Sequence, residues 1–170
     1  MKEFIFAHIE KILALAGSIS GFFIGKYSER QKLKNSSDVK TFDALTQKMP
    51  EFSRIKLFFN EMDLKNSFKT DVLGVAHDVL RDFCQDRTKN FHNKNVNSKM
   101  IDAWNAIREL SEEVGSRTSP DPNGWQTISR EKYGHGVDDF ESGEILNDMA
   151  NAFFYKYEEF LAEAKKELLI

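Results

Sequence analysis

One cysteine and three prolines are all that the 170 residues hold of either type. The single thiol, Cys84, excludes an intramolecular disulfide and fits a reducing compartment. Scarce proline leaves helices free to run without interruption. Basic charge is not in excess either: 24 Lys and Arg stand against 27 Asp and Glu, a net charge of −3. The global signature of a nucleic-acid binder is therefore absent, and no DNA partner is expected. HExxH, CxxC and histidines paired at i, i+4 are missing. His77, His92 and His135 lie far apart, so no metal is expected. GxSxG and a phosphate-binding glycine loop are missing as well, and no cofactor is expected. Internal repeats and low-complexity segments do not occur.

What is there is a globular balance of 41% hydrophobic and 30% charged residues, with 15 phenylalanines. The length fits one domain, or one domain plus an anchor. One stretch departs from this balance, ILALAGSISGFFIGKYSERQK at 12–32. Its clean apolar run, 12–25, covers roughly 21 Å as a helix, too short for a hydrocarbon core of about 30 Å. Phe4, Ile5, Phe6, Ala7 and Ile9 extend it to spanning length, with His8, Glu10 and Lys11 in the outer third where charge is tolerated. No small-x-small pair marks a signal-peptide cleavage site. An interfacial helix, a soluble helix and a signal are the alternatives. A soluble helix rarely carries three interior glycines, each costing about 1 kcal/mol relative to alanine.

Gly17, Gly21 and Gly25 form one stripe on such a helix, joined by Ala14 and Glu10. A small-xxx-small stripe is a helix-pairing face, through which copies of the chain would assemble; equally, glycine is common in membrane helices and Glu10 marks headgroup level. Lys26, Arg30, Lys32 and Lys34 follow and would meet anionic lipid headgroups. By the positive-inside rule this flank lies in the cytoplasm. The expected organisation is a single-pass anchor in the inner membrane over 1–27, a juxtamembrane segment over 28–38 ending in a linker at Asn35–Asp38, and a cytosolic all-α domain over 39–170.

That domain reads as a bundle of about four to five helices. Asp38 has the position of an N-cap for a helix through Met49, with Phe42, Leu45 and Met49 at helical spacing. After Pro50, the residues Phe52, Ile55, Phe58, Phe59 and Met62 fit a helix, with a short strand at 55–59 as the alternative. Leu64, Phe68, Val72, Val75, Val79 and Phe83 predict one long helix ending near Asp86. Ile101, Trp104, Ile107, Leu110 and Val114 predict another that Gly115 ends. SRTSPDPNGW reads as a loop, and WQTISREKYGHGV is ambiguous. Asp138 and Glu141 have capping-box spacing before a closing helix carrying Leu146, Met149, Phe153, Tyr157, Phe160, Ala164 and Leu168. His77 reads as a hydrogen-bonded histidine near the core, and Cys84 as packing rather than a nucleophile.

The sharpest motif is RTKNFH at 87–92. Its R-x4-H form resembles the signature of HEPN ribonucleases, helical bundles that usually dimerise. The resemblance implies that His92 shuttles protons at a ribose 2′-OH while Arg87 steadies the phosphate. Thr88 departs from the polar amide or acid common after the Arg, and the motif reads as a loop. More broadly, SRIKLFFNEMDLKNSF, a long helix, NFHNKNVNSKMIDAWNAIREL and a final helix are similar to a group of uncharacterised bacterial membrane-anchored proteins over about residues 50–165. That resemblance implies no activity and makes His92 part of a helix-entry segment.

These features point first to a non-enzymatic, membrane-anchored helical protein that assembles with itself or binds a protein partner, as an accessory of a bacterial or phage-derived system. The second expectation is a membrane-tethered HEPN-like ribonuclease using Arg87 and His92. A third is a small pore of anchors with Glu10 facing it.

Overall fold

The computed structural model describes residues 29, 31–128 and 139–170. They are mostly helical, as expected of an all-α domain, with one small hairpin. Helix α1 covers 31–48. Phe42, Leu45 and Met49 are buried, as their spacing predicts. Pro50, which disfavours helical conformation in the residue before it, closes the element. The break expected at Asn35–Asp38 does not occur, because the helix runs straight through it. Asp38 is therefore not an N-cap of its own helix but a buried interior residue, 2% exposed.

Helix α2 (Phe52–Lys56) leads directly into a π turn, Leu57–Glu61, so the strand alternative at 55–59 is excluded. The Met62 amide donates to the Leu57 carbonyl at 2.8 Å, the i→i+5 bond that defines the wider turn. Within it Phe58 and Phe59 are both buried and meet edge to face with centroids 4.8 Å apart. Phe59 also packs on Phe153 at 4.5 Å.

Helix α3 is Asp71–Gln85, seven residues shorter at its start than the apolar spacing from Leu64 predicts. Leu64 and Phe68 are fully buried, yet their backbones take partners far along the chain rather than within a helix of their own. The Leu64 amide donates to Asn147 Oδ1 at 2.8 Å, and Phe68 exchanges two backbone bonds with Gln126 at 3.1 and 2.7 Å. Tertiary partners thus replace the intrahelical ladder. Asn147→Ala leaves the buried Leu64 amide without its acceptor, so a loss of about 1–3 kcal/mol in unfolding free energy is expected from denaturant titration.

Helix α4 is Lys94–Arg117. Its buried face is Val96, Met100, Ala103, Ile107, Leu110 and Val114. Ile101 is 39% exposed and Trp104 is half-buried, so the predicted stripe is displaced at its first two positions. Gly115 does not end the helix; it sits exposed in the last turn, and the Thr118 hydroxyl closes the end on the Val114 carbonyl at 2.7 Å. The expected loop is a hairpin: β1 (Thr118–Pro120) pairs antiparallel with β2 (Gln126–Ile128), Ser119 opposite Thr127. Asp121 Oδ1 accepts from the Asn123 and Trp125 amides at 2.8 and 2.9 Å, and Gly124 takes the positive φ of 79° that the turn requires.

Helix α5 (Asp139–Leu168) packs along α4 as the main axis of the fold. Leu146, Phe153, Tyr157, Phe160, Ala164 and Leu168 of the predicted stripe are buried, and its Met149 is partly buried against the core. Asp138 of the expected capping box lies outside the described residues. So do Glu10, Ala14, Gly17, Gly21, Gly25, Lys26 and Arg30, and with them the expected anchor. Among the described residues no helix is long and apolar enough to cross a membrane.

Candidate functional site

The RTKNFH segment links the end of α3 to the start of α4, and every turn of it is tied down. Asp86 ends α3 and accepts from the Thr88 amide at 2.9 Å and the Thr88 hydroxyl at 2.7 Å, closing a short 3-10 turn over Arg87–Lys89. These bonds hold the Asp86 carboxyl below its usual pKa. Lys89 Nζ bonds both oxygens of Asp82 at 2.7 and 2.8 Å, which lowers the Asp82 pKa and raises that of Lys89. Phe91 is buried against Phe160, centroids 5.8 Å apart.

The next two residues are held from another helix. Asp38 Oδ1 accepts from the His92 amide at 2.7 Å and Asp38 Oδ2 from the Asn93 amide at 2.8 Å. Asn93 in turn is the N-cap of α4, its Oδ1 accepting from the Asn95 and Val96 amides. Its amide nitrogen donates to Glu167 Oε2 near the end of α5 at 2.8 Å, a bond that holds the Glu167 carboxyl below its usual value. One carboxylate on α1 and one on α5 thereby fix the entry to α4.

Beside this junction lies a polar cleft of about 590 Å³ between α1, the start of α4 and the end of α5. Lys32, Lys34, His92 and Lys94 line it, and all four side chains are exposed. Arg87 is exposed on the 3-10 turn and is not part of that lining. The structure therefore brings His92 to two of the lysines singled out as headgroup contacts, and does not bring Arg87 into the same cleft. His92 stands immediately before the N-cap of α4, a helix-entry position.

The other chemical groups have structural settings. His77 is 3.2 Å from Asp78 and packs beside Trp104 at 5.0 Å. Burial pushes the Cys84 thiol up to about 12, so it is no thiolate at neutral pH. Among the described residues no three His, Cys, Asp or Glu side chains converge as a metal site. Sequence reasoning missed Asp38, Asn93 and Glu167 as a connected set. Asn93 had a local signal, an amide side chain directly before an apolar periodic run, and that of Asp38 pointed to the wrong helix. No family model, curated protein or solved structure matches the chain.

Proposed function

We propose that the chain is a membrane-anchored helical protein without catalysis of its own, which assembles with itself and presents its bundle in the cytoplasm to a protein partner. The observation that carries this reading is the clamp at Asp38. Lys32 and Lys34 of the basic segment lie in α1, and α1 is locked to the entry of α4 by two hydrogen bonds to the Asp38 carboxyl. A rigid joint of this kind transmits the orientation and pairing of an anchor to the bundle, which a flexible linker would not. The glycine stripe supplies the pairing face. Cross-linking the full chain in native membranes is expected to trap oligomers that Gly21→Leu reduces severalfold; unchanged oligomers in that variant would remove the pairing face from the account.

A membrane-tethered HEPN-like ribonuclease is the second reading, favoured by the place of His92 in a lysine-lined cleft and disfavoured by the place of Arg87 outside it. Arg87→Ala combined with His92→Ala is expected to change neither RNA integrity nor cell toxicity. Loss of an RNA-cleaving activity in that pair would instead establish the ribonuclease.

A further inference from the structure

The cleft between α1, α4 and α5 carries more positive charge than its acidic neighbours use. Two carboxylates border it, and both are engaged: Asp38 by the His92 and Asn93 amides, Glu167 by Asn93 and by Lys166, whose Nζ lies 3.5 Å away. Lys32, Lys34 and Lys94 form no ion pair among the described residues, although lysines elsewhere do, such as Lys89 with Asp82 and Lys99 with Glu159. Three ammonium groups and an imidazole thus line a polar concavity large enough for a small anion. Clustered cations without internal counter-charges are set up to hold an external one, and a phosphate matches several separate ammonium donors.

We infer that this cleft is a phosphate-recognition site and that its occupant is the headgroup of an anionic phospholipid. The choice of a lipid rests on the anchored reading above. Lys32 lies seven positions after Gly25, the end of the apolar run. Those positions reach at most about 25 Å when extended and about 10 Å as a helix, so an anchor ending at Gly25 keeps the cleft within reach of the headgroup layer. Lys32 and Lys34 would meet the phosphate from α1, while Lys94 would meet it from the first turn of α4 and His92 from the segment before it. Headgroup binding would then brace the same joint that Asp38 clamps.

The test uses the full chain in neutral detergent, following the amide resonances of Lys94 and Asn95. Short-chain phosphatidylglycerol is expected to shift both saturably and inorganic phosphate to do so more weakly, while short-chain phosphatidylcholine leaves them in place. Lys34→Ala with Lys94→Ala is expected to raise the apparent Kd for phosphatidylglycerol about tenfold or more. Equal responses to the two lipids, or an unchanged Kd in the double variant, would overturn the site. A response to inorganic phosphate without one to phosphatidylglycerol would assign it to a soluble phosphate, and preference for a short single-stranded RNA would assign it to nucleic acid; either overturns the lipid. Flotation with phosphatidylcholine vesicles reads the anchor separately. Floating of wild type and double variant alike keeps the anchored reading whatever the cleft does, and failure of both to float withdraws it.

Discussion

Phe160→Ala is expected to remove about 3–5 kcal/mol of stability, lowering Tm by roughly 6–20 °C in a domain of this size. The ring is fully buried and joins three parts of the fold. It lies 6.0 Å from Phe42 of α1, 5.8 Å from Phe91 of the RTKNFH segment and 6.2 Å from Tyr157 on its own helix. Truncation leaves a cavity whose walls come from elements that cannot all close in, since α1 is also pinned by Asp38. The contrast is Phe52→Ala. That ring is 44% exposed and lies 6.0 Å from Phe154, so a loss of about 1 kcal/mol is expected there. Equal losses for the two variants in denaturant titration would show that the three-way junction is not where the core is held.

Asp38→Ala is expected to cost about 2–4 kcal/mol through lost hydrogen bonds. The variant strips two backbone amides of their acceptors at a position 2% exposed. Hydrogen bonds to a carboxyl contribute about 1–3 kcal/mol each, and their loss leaves two partly buried amides without an acceptor. Asp38→Asn keeps one acceptor oxygen and is expected to fall between wild type and Asp38→Ala. Hydrogen exchange locates the effect. The His92 and Asn93 amides are expected to exchange near the rate of global unfolding in wild type and far faster in Asp38→Ala, with the amides of the α4 core less affected. The exposed Asp43 on the same helix is the control, and Asp43→Ala is expected to stay within about 0.5 kcal/mol of wild type.

The parts of this fold that the chain announces are those decided by local periodicity. Phe42, Leu45 and Met49, and the stripe from Leu146 to Leu168, face the core because residues three and four apart share a helix face, and both helices pack one face only. Leu64 and Phe68 show where period misleads. They continue the α3 spacing and are buried as it demands, but Asn147 and Gln126 satisfy their backbones, and those partners lie far along the chain. Ile101 and Trp104 mislead in the other direction: both are apolar at helical spacing, and α4 turns them toward its flank because Met100 and Ala103 take the buried line. In SRTSPDPNGW the turn residues were legible, while the pairing of Thr118–Pro120 with Gln126–Ile128 was not, because such short strands carry no alternation.

At the candidate site the same division holds. RTKNFH stood out by its Arg and His, whose side chains the fold leaves exposed and apart from a common cleft. The residue that organises the region, Asp38, had no distinguishing neighbour pattern. An acid between Ser37 and Val39 reads as an N-cap, and only its approach to the start of α4 gives it its actual role. The lysines of 26–34 were legible as a cluster; that Lys32 and Lys34 face Lys94 and His92 across a cleft is a product of the fold.

Extraction of the intact chain from cells tests the anchored reading most directly. After lysis, the protein is expected in the membrane pellet, retained through high salt and alkaline carbonate and released only by detergent, with the Lys34→Ala, Lys94→Ala variant behaving the same because the apolar run and not the cleft holds it there. Recovery of the intact chain in the soluble fraction, or its release by carbonate alone, would contradict the account.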